Sequence, residues 1–282
     1  MSADAVVKLP VIAFLGAGSM AGAILSGLLR PGLEADGIRA TNRTAAKAEA
    51  LATLPGVTSL STEADPAANR TAVAGAKLVV VGVKPAMVPD LLREIADALE
   101  PGTVVVSVAA GVTVATFESL LPEHVSVVRT MPNTPAIVGR AVTGVASGTR
   151  SSEADLALAV SLFETVGDVL VVPEAQLDAL STISGSGPAY VFYLIEQLTA
   201  TAIDLGFTPE QAALMVQGTF RGASELLAHS GEHPAELRRR VTSPKGTTER
   251  AIAVLEEAAL KQTFDSATQA ALARARELAA GA

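Results

Sequence analysis

The residues of this chain that could do chemistry are mostly hydroxyls and backbone amides. The densest group is Thr242-Ser243-Pro244-Lys245-Gly246-Thr247-Thr248. It offers the hydroxyls of Thr242, Ser243, Thr247 and Thr248, and the N–H groups around Gly246. A helix is predicted to begin just beyond it, at Glu249-Arg250-Ala251-Ile252. A small-residue turn feeding a helix N-terminus suits an anion, because the first N–H groups lack intrahelical partners and the dipole favours negative charge. The same residues also describe an ordinary N-cap, with Thr or Ser capping and Glu249 in the first turn. The local sequence leaves both readings open.

A second such stretch lies near the N-terminus. Val11-Ile12-Ala13-Phe14-Leu15 is a short apolar run suited to a strand buried on both faces. Gly16-Ala17-Gly18-Ser19-Met20-Ala21 follows and fits G-x-G-x-x-G/A. In that pattern Gly16 makes the tight turn, Gly18 lets a pyrophosphate approach the backbone, and Ala21 permits close helix–strand packing. Leu15, Ala17, Ser19 and Met20 complete the cofactor-binding stretch, and a helix is predicted over Ser19–Arg30 with the diphosphate at its N-terminus. The next strand, near Ile38–Thr41, should end at the adenosine ribose. An Asp or Glu there would bind the 2′-hydroxyl, but the chain has Asn42-Arg43-Thr44. An Arg and small hydroxyl groups suit a 2′-phosphate, so NADPH is favoured and NADH is the second option. The alternative is that Asn42 and Arg43 only turn the chain.

These stretches need elements to position them. Further strands are predicted at Leu78–Val83, Val104–Val108 and Val125–Val128. In an open parallel sheet, ligands meet the carboxyl ends of the strands. Val83, Lys84, Pro85 and Ala86 therefore border the cofactor, and the same logic applies to Ala109, Ala110 and Gly111. After the third strand, Pro132 and Pro135 fix a loop from which Asn133 points its amide at the nicotinamide or substrate, or else forms a turn. A helix near Ser152–Val166 and a strand at Val169–Val172 close an α/β, Rossmann-like dinucleotide-binding domain over residues 1–172.

Residues 173–282 read as an all-α domain. Helices are predicted near Glu174–Ser184, Pro188–Leu205, Thr208–Ala228, Pro234–Arg240, Gly246–Ala259 and Phe264–Ala279. Ser184-Gly185-Ser186-Gly187-Pro188 is read as a short flexible break, with Pro188 at a helix N1 position. The Ala and Leu faces outnumber what so few helices can bury, which points to a second subunit.

Composition bounds the rest. A length of 282 residues suggests two domains, and 49% hydrophobic residues suffice for a large core. A net charge of −8 argues against nucleic acid as a partner. With no cysteine there are no disulfides, thiolate zinc sites or cysteine nucleophiles, which fits a cytoplasmic location. His229 and His233 have helical metal-pair spacing, but Gly231 lies between them and Pro234 follows, so no metal is expected. Val11–Leu29 is uncharged and long enough to span a bilayer. Its glycines and Ser19 instead indicate strand, turn and buried helix, so no membrane partner is expected. Asp4 and the missing basic region speak against a signal peptide.

A dinucleotide fold joined to a helical domain suggests hydride transfer to a small substrate at their junction. A hydroxy-acid dehydrogenase needs a Lys or His base, and Ser184 to Glu225 contains neither. Tyr190 and Tyr193 are better read as packing. Reducing a cyclic imine demands less, because a protonated C=N already carries the charge that accepts hydride. A non-catalytic NAD(P)-binding sensor is the reading from another class.

Together the motifs resemble the pyrroline-5-carboxylate reductase family. The resemblance rests on Leu15–Met20, Asn42-Arg43-Thr44, Val83-Lys84-Pro85, Met131–Pro135, Ser184–Tyr190 and Thr242–Thr248, in family order over nearly the whole chain. It implies NADPH-dependent reduction of 1-pyrroline-5-carboxylate to L-proline, the last step of proline synthesis. It also implies that Asn69 contacts the adenosine and that Ala109-Ala110-Gly111 meets the nicotinamide end. By the same resemblance Ser243, Gly246 and Thr247 belong to the substrate site, Gly246 and Thr247 holding the carboxylate, and Thr248 is the catalytic hydrogen bond to the ring nitrogen. A homodimer through interleaved helical domains is implied, with a larger ring such as a decamer as the further expectation. Lys245 stands where the family usually has Gly: it is strained if the position needs φ > 0, and otherwise adds charge near the carboxylate or faces water.

Overall fold

The computed structural model describes residues 7–30 and 33–279. They fall into two compact units, one running to Ser186 and taking in the chain from Leu272, the other Gly187–Ala271.

The first unit contains strands β1 (Val7–Leu9), β2 (Ile12–Leu15), β3 (Leu33–Ala35), β4 (Ile38–Asn42), β5 (Val57–Ser61), β6 (Leu78–Val81), β7 (Val104–Ser107), β8 (Ser126–Met131), β9 (Ala141–Ser147) and β10 (Gly167–Val171). β1 and β3 form a small parallel pair, and the others form an eight-stranded sheet in the order β10-β9-β8-β7-β6-β2-β4-β5. Every residue of β2, β6 and β7 is buried, as apolar runs without alternation require when helices cover both faces. Successive side chains go to opposite sides. Phe14 and Val80 pack on one face with Ile24 and Leu25 of α1 (Ser19–Leu28). Also in the first unit are α2 (Ala45–Ala52), α3 (Ala68–Val73), α4 (Val88–Ile95), α5 (Val114–Leu120), α6 (Glu153–Glu164) and α7 (Glu174–Leu180). Leu15 and Val81 pack on the other face with Leu92 of α4 and Phe117 of α5. From β2 the sheet builds outward to β4 and β5 on one side and to β6, β7 and β8 on the other. The switch point is therefore between β2 and β6, where an open α/β sheet leaves a crevice past its carboxyl edge.

Two features depart from the expected open parallel sheet. β9 lies antiparallel to β8, and β10 runs parallel to β9. The chain reverses through a short 3-10 turn, Thr134–Val138, ending at Gly139 with φ +70°. A Cβ on Gly144 in β9 would lie 2.7 Å from Leu180 and 2.8 Å from Leu177, so this glycine lets α7 rest directly on the strand. The other departure is the supposed flexible break. Ser181–Gly185 is a π-helical turn in which Ser186 N–H donates to the Ser181 carbonyl at 2.9 Å. It leads directly into α8 (Gly187–Asp204), where Pro188 is the second residue.

The second unit holds α8, α9 (Pro209–Ser230), α10 (Pro234–Arg240), α11 (Thr247–Glu257) and α12 (Leu260–Ala279) up to Ala271. α9 starts on a capping box in which Thr208 accepts from Gln211 N–H at 3.3 Å and Gln211 accepts from Thr208 N–H at 3.1 Å. It stops at Gly231, with φ +63°. His233 caps α10, its Nδ1 accepting from Ala235 N–H. Phe192, Tyr193, Leu214 and Val254 are exposed, and an open groove between α8 and α9 is lined by Val191, Phe192, Ile195 and Phe220. A patch of this kind marks an association surface. No helix among the described residues is long and apolar enough to cross a membrane.

Candidate cofactor and substrate sites

The turn after β2 is built by hydrogen bonds to its neighbour strand. Gly16 N–H donates to Thr41 O at 3.1 Å and Ala17 N–H to the same oxygen at 3.0 Å, while Gly18 N–H donates to Gly16 O at 2.7 Å. Gly16 sits at φ +77°, and a Cβ there would lie 2.6 Å from Val83 Cγ1 and 3.1 Å from Val83 N. Backbone angle and close packing both demand glycine. Gly82 is a partner that sequence reasoning missed. A Cβ on it would come within 2.9 Å of Gly16 O and 3.0 Å of Ala21 Cβ, so it lets the end of β6 abut the turn. Its only signal was a glycine interrupting the apolar run at the strand's end.

Gly18 differs. It has φ −76°, and the nearest heavy atom to a Cβ would be Gly16 O, at 4.0 Å. Nothing in the protein's own packing requires glycine here. Gly18 and Ser19 are exposed, and α1 begins beside them with no side-chain cap and no acid in its first turn. The unfilled space over a bare helix N-terminus fits a diphosphate. Ala17 and Met20 are half-buried in the same turn, whereas Leu15 is fully buried beneath it.

At the end of β4, Asn42 is 6% exposed, and its Nδ2 has no hydrogen-bond partner. An orphaned buried amide is costly, and a ligand oxygen would satisfy it. Arg43 beside it is exposed, and Thr44 is the N-cap of α2 without a side-chain cap bond. Asn69, on α3, is buried and donates to Glu94 Oε2 at 3.2 Å. Past β6, Lys84, Pro85 and Ala86 are exposed. Past β7, Ala109 is buried, Ala110 is exposed and Gly111 has φ +77°. The fold thus brings Gly16, Val83 and Thr41 into direct contact at the switch point.

Asn133 is committed to the protein itself. Its Oδ1 accepts from Val142 N–H at 2.9 Å and its Nδ2 donates to Ser184 O at 2.9 Å. The amide braces the loop after β8 between β9 and the π turn, closer to the turn-forming alternative than to a ligand contact. Arg129 strengthens the same joint. Its buried guanidinium pairs with Glu174 at 3.2 Å and Asp178 at 2.7 Å, and Glu174 also accepts Val114 N–H at 2.7 Å. Paired and hydrogen-bonded on both sides, the charge is tolerated in the interior.

In the second unit, Lys245 has φ +60°. The position does need the left-handed region, which costs a non-glycine residue about 1–2 kcal/mol. Its N–H donates to Glu249 Oε2 at 2.9 Å, and Gly246 N–H donates to Ser243 O at 3.0 Å. A Cβ on Gly246 would lie 2.9 Å from that same oxygen. Gly246 is the N-cap of α11 and has no side-chain cap bond, so neither Ser nor Thr does the capping. Thr247 and Thr248 are the first residues of α11, and Thr248 is half-buried. Helix N-terminal amides of this kind have no intrahelical acceptor. Ser243 is exposed, and Thr242 Oγ1 donates to Arg238 O at 2.6 Å, joining the stretch to α10. Within α10, hydrogen bonds from Arg239 and then Arg240 hold the Glu236 carboxyl down to about 2.

Comparison with known proteins adds to this geometry. Residues 174–278 match the family model for pyrroline-5-carboxylate reductase dimerisation, and residues 11–111 match that for NADP oxidoreductase coenzyme F420-dependent. Pyrroline-5-carboxylate reductase of Pseudomonas aeruginosa is 39% identical over 271 residues, 96% of this chain and 97% of the relative. A pyrroline-5-carboxylate reductase structure from Coxiella burnetii superposes with a TM-score of 0.87 at 37% identity, covering 95% of this chain and 97% of the other. The Plasmodium falciparum pyrroline carboxylate reductase structure with NADP bound gives a TM-score of 0.80 at 23% identity, covering 95% and 97%, and supports the fold.

Proposed function

The chain belongs to the pyrroline-5-carboxylate reductase family, and on that premise we propose that it reduces 1-pyrroline-5-carboxylate to L-proline with NADPH as the preferred reductant. The observation that carries the reading is the open Gly18 position over the bare N-terminus of α1, at the switch point of the sheet. The bound dinucleotide supplies the hydride. Gly16, Ala17, Gly18, Ser19 and Met20 hold its diphosphate, supported by Leu15. Asn42, Arg43 and Thr44 take the 2′-phosphate end, and Asn69 lies toward the adenosine. Val83–Ala86 and Ala109–Gly111 line its course toward the nicotinamide.

In the second unit Ser243, Gly246 and Thr247 hold the substrate carboxylate, with the Thr247 N–H as the backbone donor because Gly246 N–H is already bonded to Ser243 O, and Thr248 hydrogen-bonds the ring nitrogen. Asn133 acts on this chemistry as a brace. No side chain is required as a base, because the iminium accepts hydride without losing a proton from oxygen. Orientation and fixed dipoles supply the catalysis. By role, residues 1–172 form the dinucleotide domain and residues 173–282 the substrate and dimerisation domain, in a cytoplasmic enzyme. Mixing the protein with NADPH and pyrroline-5-carboxylate and following absorbance of the reduced cofactor tests the reading, which fails if no oxidation occurs.

Two expected results belong with it. Arg43→Ala should weaken NADPH by about tenfold and NADH by much less, since a guanidinium–phosphate pair is a charge-assisted contact. Equal losses for both cofactors would rule out a 2′-phosphate contact. The exposed apolar faces of α8 and α9 should be covered in a homodimer, with a larger ring such as a decamer built from dimers. Light scattering at assay concentration should give at least twice the monomer mass, and a fully active monomer would overturn this.

A further inference from the structure

The acid that the end of β4 lacks in sequence arrives from the neighbouring strand. β5 pairs in parallel with β4, with Ser61 opposite Asn42. The loop after β5 is then pinned across the end of β4. Thr62 N–H donates to Asn42 O at 3.0 Å, Glu63 N–H donates to Arg43 O at 3.0 Å, and Ser61 Oγ donates to Arg43 O at 3.1 Å. These bonds place the Glu63 carboxylate at the start of α2, where Oε2 accepts from Ala45 N–H at 3.4 Å. Glu63 is exposed, and among the ion pairs of the described residues there is none between it and Arg43. The buried, unpartnered Nδ2 of Asn42 belongs to the same few residues.

We propose that Glu63 sets the balance between the phosphorylated and unphosphorylated dinucleotide. This rests on the cofactor reading above. A 2′-phosphate recognised by Arg43 and the α2 N-terminus meets a carboxylate already holding the first N–H of that helix. The two anions compete for one donor and repel each other, so Glu63 penalises NADPH. A ribose 2′-hydroxyl instead donates to a carboxylate, so the same residue favours NADH. Glu63 therefore offsets part of the preference that Arg43 provides, and leaves the enzyme able to use both cofactors.

The test compares kcat/KM for NADPH and NADH in the wild type, Glu63→Gln and Arg43→Ala proteins. Glu63→Gln keeps the shape and removes the charge. It should raise the NADPH to NADH ratio about tenfold, mainly through a lower KM for NADPH. Its melting temperature should match the wild type, because the side chain is exposed. An unchanged or lower ratio, with Arg43→Ala still lowering it, overturns the proposal and leaves the cofactor site standing. If Arg43→Ala also leaves the ratio unmoved, the assignment of the 2′ position falls and the proposal falls with it.

Discussion

Gly18→Val should leave the protein folded while raising the dissociation constant for NADPH by about thirtyfold to a hundredfold. At φ −76° a side-chain-bearing residue is unstrained, and the nearest heavy atom to the new Cβ is 4.0 Å away. The melting temperature should therefore move by no more than about 2 °C, as for a surface substitution. The branched side chain does, however, fill the space over the N-terminus of α1. A diphosphate forced off that position loses fit worth about 2–3 kcal/mol, which gives the stated range. Gly16→Ala provides the contrast. At φ +77°, with Val83 Cγ1 only 2.6 Å from the added Cβ, it should lower stability as well, by about 2–4 kcal/mol. Thermal melts and fluorescence titration with NADPH on both variants measure the pair. A Gly18→Val protein that titrates like the wild type would remove the dinucleotide from this turn.

Thr248→Ala should lower kcat/KM for the imine by about tenfold or more, equivalent to about 1.4 kcal/mol of transition-state stabilisation. That is the size of a hydrogen bond to a charged group. NADPH binding should hardly change, because the proposed diphosphate site is the turn after β2. Thr248→Ser keeps the hydroxyl and should recover most of the loss. Stability should be retained in both variants, since the N-cap of α11 is Gly246 and carries no side-chain cap bond. Had Thr248 been the cap, alanine would cost about 1 kcal/mol of stability with normal kinetics in the folded fraction. Melting temperature and kcat/KM on the same sample separate these outcomes. A destabilised but kinetically normal variant would return Thr248 to a structural role.

Much of the fold was legible in the chain itself, because its signals are local. The short apolar runs of β2, β6 and β7 suited strands buried on both faces, as the structure has them. Gly16-x-Gly18-x-x-Ala21 fixed the turn and the helix that follows. The helix predicted near Thr208–Ala228 is α9, Pro209–Ser230, whose capping chemistry depends on adjacent residues alone. The motifs at Thr242–Thr248 and Asn42–Thr44 were likewise visible as residue types suited to anions.

What remained hidden depended on which strands and loops became neighbours. β9 was not anticipated because Ala141–Ser147 is small-residue and glycine-interrupted, and only its pairing with β8 and β10 makes it a strand. The π turn at Ser181–Gly185 looked like a flexible break, since glycine and serine signal loops locally. It is held by Asn133, a residue far back in the chain, through the Ser184 carbonyl. The chain could not show that Gly246, and no hydroxyl, stands at the N-cap of α11, after Lys245 at positive φ, a conformation that residue disfavours by itself. Glu63 was not considered beside Arg43 because it follows β5 rather than β4. Composition, periodicity and capping are properties of contiguous residues, so the chain alone showed the central strands β2, β4, β6, β7 and β8 and the helices of the second unit, but not β5, β9 or the π turn. Pairing across the sheet brings together residues far apart in the chain, such as Ile12 with Leu78 and Gly16 with Val83, and closing such loops is compensated only by long-range contacts. For that reason only the tertiary structure decided that Gly82 and Val83 would shape the Gly16 turn, that Asn133 would be a brace, and that an acid would stand beside Arg43.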